Sequence, residues 1–466
     1  MSIESKDFAE KQAPAEVSVR GENRFVIRHA DVVTMEAGAL DLMDTDVLVV
    51  GEPIAAVERN IEIEGVQTID MGGVVPTFLK GYKQYHEWKM KIMPAMNAGD
   101  AYHGQYLGCL EAIDSGVTSM VDFSHGLHTQ EMALEGARGV IDSGIAGFFC
   151  WQIAHVLTYG LNEDVPCKQG WDDRCSPPTE MHWETSKILR DEYFGVGRSP
   201  SQFGIALSNS SFGHTMEMVK EEFRRARELG PRLITHHVRS TRADPPYPEG
   251  YFRTVKDLAD AGLIGPDYHL THANDWSDEE LRIMADHGGA ICSTPQVETL
   301  HKAEQTVVFA RFASQGGRCG LGLDVPHAYT RDYFEMIRTA FWACCRTEQS
   351  REIINSWNSN DLLAYATREA AKSVNLGDEA GTITVGKYAD LVLLDTSRIG
   401  FSDWGTLADR VVNFASLQDI DSVWIRGKLR KSGGKMLGIG WAALKSETAE
   451  RQARIRRDMN TVNIVL

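Results

Sequence analysis

The chain has 466 residues and a formal net charge of −17, with 43% hydrophobic and 24% charged residues. This composition is ordinary for a soluble globular protein, and the acidic balance disfavours binding to nucleic acid or to anionic membranes. No run of about 18 apolar residues argues for a membrane span. We expect a cytoplasmic protein, because the polar N-terminus is unlike a secretory signal and the eight cysteines contain no CxxC pair.

The two ends of the chain carry similar β-rich segments. Residues 23–72 and 376–435 consist of short alternating stretches broken by Gly, Pro and Asp, which are strand and turn signals. Their similar character predicts one small β-sandwich assembled from both segments. Residues 1–22 are predicted to form a mobile tail, and residues 436–466 a C-terminal helix and tail.

Short apolar runs alternate with amphipathic runs through residues 73–375. The candidate strands are Val74–Leu79, Val117–Val121, Ile145–Trp151, Phe203–Leu207, Leu233–His237, His269–His272, Ala290–Ser293 and Gly320–Asp324. Eight β/α units predict an α/β fold with a closed (β/α)8 TIM-like barrel. A doubly wound open sheet shows the same alternation, and the number of units is what favours the barrel.

One polar stretch rich in Pro and Gly, residues 157–178, interrupts this alternation after the third predicted strand. In a barrel it would lie over the mouth of the active site, so it is either a lid or a plain surface loop.

Several phrases resemble the amidohydrolase superfamily, in its cytosine deaminase and chlorohydrolase-like branch. VVPTFLKGYKQYHEW resembles the first barrel strand of that superfamily, written P-G-F-x-D-T-H-x-H, and RLITHHVRS, YHLTHANDWSDEELRIMADHGG and GLGLDVPHA resemble later strand ends. The similarity runs from about Asn23 to Lys435. It implies a (β/α)8 barrel that binds substrate at the carboxyl ends of its strands.

Three catalytic positions of the superfamily are retained. By this resemblance, His237 matches a metal-binding histidine, and His272 matches the histidine that contacts bound water or substrate. Asp324 matches the carboxylate that binds metal and accepts a proton from water.

Other positions of the metal site are replaced. Tyr82 and Gln84 stand in place of the paired histidines, and Lys80 stands in place of the usual aspartate. Catalytic zinc needs about three good protein ligands and an open position, so we expect a degenerate metal site, with no metal and no other cofactor.

Residues 80, 82 and 84 alternate along a predicted strand and should share its inner face. We therefore expect the ammonium of Lys80 to replace the metal charge near Asp324 and His237. In the alternative interpretation, Lys80 makes only a structural ion pair lower in the barrel.

Further polar and aromatic side chains are predicted at the strand ends. The predicted catalytic set is Lys80, Tyr82, Gln84, His237, His272 and Asp324, and the predicted substrate-binding residues are Lys83, His86, His125, Trp151, His155 and Gln296. The second set includes residues that equally fit ordinary loop packing. Aromatic residues around the predicted mouth favour a planar or cyclic small molecule.

These observations predict an amidohydrolase-like enzyme that performs metal-independent acid–base chemistry on a small cyclic or aromatic substrate. One alternative is a hydrolase or deaminase of C–N bonds with an unusual mononuclear metal site. Another is a non-catalytic binding or regulatory subunit. We expect a small-molecule substrate and a homo-oligomer, with no nucleic-acid or membrane partner.

Overall fold

The computed structural model describes residues 24–32, 42–50, 54–63, 67–70, 91–154, 164–166, 177–195, 197, 199–208, 214–236, 252, 254–301, 307–324, 330–461 and 463–465. The chain divides into two compact units, residues 1–78 and 79–466. The predicted tail at residues 1–22 and the predicted first barrel strand, Val74–Leu79, lie outside the described residues.

The first unit contains a four-stranded sheet in the order β3-β2-β1-β4. Its strands are β1 (Arg24–Val32), β2 (Leu42–Val50), β3 (Ile54–Glu58) and β4 (Gln67–Asp70). β2 is antiparallel to both β1 and β3, whereas β4 is parallel to β1. Asp46, whose side chain is buried, accepts a hydrogen bond of 2.6 Å from Arg28. The predicted strands of residues 23–72 are thus present.

The second unit is built on a seven-stranded parallel sheet in the order β12-β11-β10-β9-β8-β6-β5. Its strands are β5 (Ser119–Ser124), β6 (Ala146–Gln152), β8 (Ser201–Ala206), β9 (Ile234–His236), β10 (Tyr268–Thr271), β11 (Ala290–Ser293) and β12 (Arg318–Leu321). Seven of the eight predicted barrel strands are confirmed, with ends shifted by up to three residues. The α/β barrel class is therefore confirmed.

Helices follow most strands of this sheet. They are α1 (Ala98–Asp114), α2 (Gln130–Ser143), α3 (Glu180–Ile188), α4 (Met216–Glu228), α5 (Val255–Asp260), α6 (Asp278–Asp286), α7 (Pro295–His301), α8 (Val308–Ser314), α9 (Tyr333–Cys344), α10 (Glu348–Ile354), α11 (Ser359–Ala366), α12 (Arg368–Ser373), α13 (Leu407–Phe414) and α14 (Trp441–Met459). A π-helical turn, Leu189–Tyr193, extends α3.

Local signals in the sequence set several helix ends. Ser277 begins α6 with a reciprocal capping box to Glu280, as its spacing predicts. Gly144 ends α2 with φ of 72°, a left-handed conformation that glycine adopts without steric cost.

The parallel sheet is apolar on both faces. On β6, Phe149 and Trp151 join the large core between sheet and helices, whereas Phe148 and Cys150 join a smaller cluster with Leu376. Alternation along a strand places these two sets on opposite faces. A buried parallel strand positions side chains firmly, so its carboxyl end is a rigid support for a site.

Polar side chains cross-link the loops at the amino edge of the sheet. The guanidinium of Arg318 donates to the carbonyl oxygens of Pro266 and Gly288 and to Asn375 Oδ1, at 2.8, 2.5 and 2.7 Å. Asn375 Nδ2 donates in turn to the carbonyl oxygens of Arg232 and Pro266. These bonds hold the starts of β9, β10, β11 and β12 together.

The C-terminal part of the second unit adds a four-stranded antiparallel sheet in the order β13-β14-β15-β16. Its strands are β13 (Leu391–Leu394), β14 (Ile420–Ile425), β15 (Lys428–Ser432) and β16 (Lys435–Met436). Two short strands, β7 (Asp164–Pro166) and β17 (Asn463–Val465), form a separate parallel pair. The predicted sandwich between the two four-stranded sheets stays a prediction.

None of the helices in the described part of the chain combines the length and the apolar character that crossing a membrane requires.

Candidate active site

Five of the twelve predicted site residues lie in the described part of the chain. They are His125, Trp151, His272, Gln296 and Asp324. The other seven lie outside the described residues: Lys80, Tyr82, Lys83, Gln84, His86, His155 and His237.

His272 and Asp324 face each other at the carboxyl edge of the sheet. His272 follows β10 and Asp324 follows β12, and His272 Nε2 lies 3.7 Å from Asp324 Oδ2. About a quarter of the His272 side chain and a third of the Asp324 side chain are exposed, at 25% and 31%. Both groups are thus within reach of a small molecule at this edge.

The backbone at both residues is strained. His272, Ala273 and Asp324 have φ of 76°, 64° and 61°, in the left-handed region that non-glycine residues rarely adopt. Each such residue costs on the order of 1 kcal/mol or more, and strain of this kind concentrates at functional sites. The fold therefore orients these two side chains although their backbone conformations are unfavourable.

Thr294 and Glu298 support His272 from behind. Thr294 Oγ1 lies 2.9 Å from His272 Nδ1, and Glu298 Oε1 lies 3.9 Å from the same nitrogen. The Glu298 side chain is only 1% exposed, and it accepts hydrogen bonds from Ser293 Oγ, Thr294 N and Val308 N at 2.9, 2.7 and 3.4 Å. One buried carboxylate thus fixes the end of β11, the start of α8 and the rear of the imidazole.

Surrounding charge favours the protonated form of His272. Burial by itself would lower the pKa of His272, but Glu298, Asp324 and Asp275 together outweigh it and raise that pKa above its ordinary value. An imidazolium close to neutral pH can donate a proton, and a partly exposed carboxylate beside it can accept one.

The neighbouring thiol does not add a nucleophile. Burial, helped by Glu298 and Asp324, raises the pKa of Cys292 to about 12. A thiol with such a pKa stays protonated near neutral pH, whereas nucleophilic cysteines need the thiolate. Among the described residues at this edge, His272 and Asp324 are the pair whose side chains suit acid–base chemistry.

A second polar cluster lies between the sheet and α4. Glu222 accepts hydrogen bonds from Ser208 N and Ser208 Oγ at 2.6 and 2.7 Å. His236 contacts the Ser208 carbonyl through Nε2 at 2.9 Å and Tyr268 Oη through Nδ1 at 3.0 Å. All four residues are buried. This cluster joins the ends of β8 and β9 to the helix layer.

Burial sets the protonation states in this second cluster. Burial lowers the pKa of His236 to about 3, and it raises the pKa of Glu222 to about 7 despite the hydrogen bonds from Ser208. His236 is therefore neutral near pH 7, and Glu222 is only partly ionised there, which fits a structural role.

The remaining predicted residues have different environments. Trp151 is 1% exposed, donates from Nε1 to the Leu127 carbonyl at 2.7 Å, and stacks on His182. That is a core position facing the helices, so the packing interpretation suits Trp151. His125 is exposed after β5 and lies edge-on to Phe123. Gln296 is half-buried on α7, with a buried Oε1 that has no hydrogen-bond partner among the described residues.

Sequence reasoning missed the support that Thr294 and Glu298 give to His272. Their spacing of four residues was the available signal, because residues four apart share one face when a helix follows a strand. Gln152 was also missed, although it ends β6 on the face opposite to Trp151. Strand alternation would have selected Gln152 rather than Trp151.

The described part of the chain contains no group of three or more His, Cys, Asp and Glu residues arranged to hold a metal ion. Of the four family ligand positions carried over by resemblance, only Asp324 is described.

Two curated relatives align with most of this chain. A 5'-deoxyadenosine deaminase from Methanosarcina acetivorans is 26% identical over 436 residues, covering 88% of this chain and 94% of that relative. A 5-methylthioadenosine/S-adenosylhomocysteine deaminase from Thermococcus kodakarensis is 24% identical over 420 residues, covering 84% and 90%.

Solved structures share the fold. A zinc-bound adenosine deaminase from Xanthomonas campestris has a TM-score of 0.62 at 17% identity, covering 94% of this chain and 99% of its own. Atrazine chlorohydrolase from Arthrobacter aurescens, complexed with zinc, has a TM-score of 0.65 at 16% identity, covering 92% and 100%. An amidohydrolase family model matches residues 208–430. Over those residues the chain is similar to the amidohydrolase family, and the solved structures share its fold.

Proposed function

We propose that this protein is an enzyme that transfers protons to and from a small cyclic or aromatic substrate without a catalytic metal. The observation that carries this proposal is the pairing of His272 with Asp324 at 3.7 Å on strained backbone, with Glu298 fixed behind the imidazole. In this mechanism His272 donates a proton to a basic atom of the substrate, and Asp324 accepts one from the substrate or from water.

The side chains at the superfamily's metal-ligand positions support a reaction that uses no metal. Asp324 and His237 are good ligands, but a phenol at Tyr82 and an amide at Gln84 are weak substitutes for two imidazoles. These residues do not fit a catalytic zinc ion that needs three firm ligands and an open position. No step of the proposed reaction passes through a metal.

Lys80 is the third group of the proposal. Its ammonium would supply positive charge close to Asp324 and His237, in place of the divalent cation that the resemblance to the superfamily implies. A structural ion pair of Lys80 lower in the barrel is the competing interpretation. Lys80→Met separates the two, because only the first interpretation predicts a loss of activity in a protein of unchanged stability.

The substrate class follows from the relatives and from the predicted mouth. The aligned deaminases act, by their names, on 5'-deoxyadenosine, 5-methylthioadenosine and S-adenosylhomocysteine. Nucleosides of this kind are small and carry planar heterocycles, so they are the first probes for this protein.

A second candidate function is hydrolysis of a C–N bond at an unusual mononuclear metal site. The alignment over 94% of a 5'-deoxyadenosine deaminase favours it, and His237, Asp324 and one replacement ligand would hold the metal. A third candidate is a binding or regulatory subunit without turnover. Such a subunit would bind a ligand at the polar carboxyl edge of the parallel sheet without transferring protons.

The full-length protein, assayed on a nucleoside panel before and after treatment with a strong chelator, separates these three functions. Activity that survives the chelator in metal-free protein supports the proposal. Activity that is lost and then restored by zinc, iron or manganese supports the mononuclear hydrolase. Nucleoside binding without turnover supports the regulatory subunit.

Variants test the assigned roles. His272→Gln and Asp324→Asn should each reduce turnover by about 10²- to 10⁴-fold, the usual contribution of a general acid or base. His287→Gln and Asp286→Asn change the same residue types at exposed positions of α6 and its end, and should leave turnover unchanged. Full activity of both site variants would contradict the proposal.

A further inference from the structure

The last strand of the chain pairs with the segment that follows β6. β17 runs parallel to β7, with Asn463, Ile464 and Val465 opposite Asp164, Val165 and Pro166. Two strands of three residues are too small to be stable alone, and parallel pairing is slightly weaker than antiparallel pairing. Contacts elsewhere must therefore bring β17 to β7.

The helix α14, which precedes β17, attaches through charged contacts, and its Leu444 packs, partly buried, against the large core. No side chain of its 19 residues is buried. Arg451 and Arg454 both contact the carboxylate of Asp100, and Arg451 Nη1 lies 3.1 Å from Asp100 Oδ1. Arg454 also donates to the Ala95 carbonyl at 2.9 Å. We call Asp100, Arg451 and Arg454 the Asp100 cluster.

The Asp100 cluster is well placed to hold the helix. The Asp100 side chain is only 3% exposed, and it also caps α1 by accepting from Asn97 N at 2.9 Å. Burial would raise the pKa of Asp100, but Arg454, Asn97 and Arg451 outweigh it and lower that pKa. Breaking such a buried pair is strongly destabilising, because the remaining charge has no partner.

A second contact fixes the direction of α14. His103, one turn further along α1, meets Thr448 Oγ1 at 2.8 Å through Nε2 and lies 3.6 Å from Glu447 Oε1. Two attachments one turn apart along each helix define the course of α14. They determine where its last residues, and then β17, arrive.

The position of β7 in the chain relates this attachment to the candidate active site. β7 lies between β6 and α3, so it belongs to the connection that leaves the carboxyl edge of the sheet. His272 and Asp324 follow β10 and β12 at the same edge, because all seven strands are parallel.

We propose that the C-terminal segment is an intramolecular anchor for the connection after β6. The Asp100 cluster holds α14, α14 delivers β17, and β17 fixes β7 by backbone pairing. The C-terminal segment thereby holds β7 in place between β6 and α3. This proposal does not depend on the proposed function.

Hydrogen–deuterium exchange on the full-length protein tests the anchor. The double variant Arg451→Met/Arg454→Met should speed exchange in peptides covering residues 157–178 and 460–466 by about tenfold or more, because local opening becomes easier. Arg456→Met removes one charge from an exposed position of the same helix, and should leave those peptides unchanged. Peptides from β5 and β6 report whether the barrel remains folded.

A backbone variant keeps the test valid if the double variant unfolds. Ile464→Pro removes an N–H donor from β17 and leaves the Asp100 cluster intact, so it should speed exchange only in the two paired segments. Ile464→Val retains β-propensity and should not. Unchanged exchange at residues 157–178 in both disruptive variants would overturn the anchor. Protection that rises with protein concentration would overturn it too, because the strand would then come from another copy.

Discussion

Two clusters built from similar side chains shift the pKa of their histidine in opposite directions. His272, Thr294, Glu298 and Asp324 meet at the open edge of the sheet, and the pKa of His272 is raised. Ser208, Glu222, His236 and Tyr268 meet beneath the helix layer, where the pKa of His236 falls to about 3. Each cluster contains a histidine, a glutamate and a hydroxyl group.

Charged neighbours explain the difference. His272 has carboxylates near both of its nitrogens, at 3.7 and 3.9 Å. The two nitrogens of His236 contact a carbonyl oxygen and a phenol, which are neutral. Burial lowers the pKa of His236 more than the Ser208 carbonyl raises it, whereas the carboxylates beside His272 outweigh the effect of burial on its pKa. A histidine beside a glutamate and a hydroxyl group thus has a raised pKa in one place and a lowered pKa in the other.

The two clusters should differ most in how much free energy of unfolding is lost when their glutamate is replaced by glutamine. Glu298 accepts from three donors through both oxygens, so either orientation of an amide sets its NH2 group against a donor. We expect Glu298→Gln to lower the free energy of unfolding by about 3 kcal/mol. Glu222→Gln can accept from Ser208 N and donate to Ser208 Oγ, so its cost should stay below about 1 kcal/mol. Chemical denaturation of both variants measures the difference, and equal losses would contradict the comparison.

The pH dependence of stability should identify Glu222. Its pKa in the folded protein, about 7, lies above its ordinary value of 4.5, so folding favours the protonated carboxyl. This contribution is complete below pH 4.5 and is lost as the pH rises through 7. Relative to Glu222→Gln, the wild type should therefore lose about 2 kcal/mol between pH 5 and pH 8. Parallel stability curves for the two proteins would show that Glu222 has an ordinary pKa.

The smallest effect concerns Trp151, which the sequence assigned to substrate binding. Trp151→Phe removes the donor to the Leu127 carbonyl and should cost about 1 kcal/mol in the free energy of unfolding. Nucleoside affinity should not change, because the ring packs on the helix side of β6. Trp342→Phe changes an exposed side chain and serves as the control for stability. A large loss of affinity in Trp151→Phe would restore the original assignment.

The sequence predicted those parts of the fold that local patterns determine. Apolar runs located seven strands of the parallel sheet. Resemblance to the superfamily identified His272 and Asp324, which lie 52 residues apart in the sequence and which the fold brings together. Strict alternation along β6 would have placed Trp151 on the face toward the helices instead of the inner face of the sheet.

The supporting contacts could not be predicted, because they join distant segments. Glu222 lies on a helix 14 residues after Ser208, and His236 lies 28 residues after it. Neither spacing has a local meaning in a helix or a strand. The pairing of β17 with β7 spans about 300 residues and involves too few residues to leave a pattern. Tertiary packing alone determines such contacts.

The hydrogen bonds at the amino edge of the sheet affect the direction from which a ligand can approach the candidate active site. Because Arg318 and Asn375 join the loops there, we expect a ligand to reach His272 and Asp324 from the carboxyl edge. A substrate and the product made from it would then share one passage. Product that stays bound at this edge should therefore compete with incoming substrate.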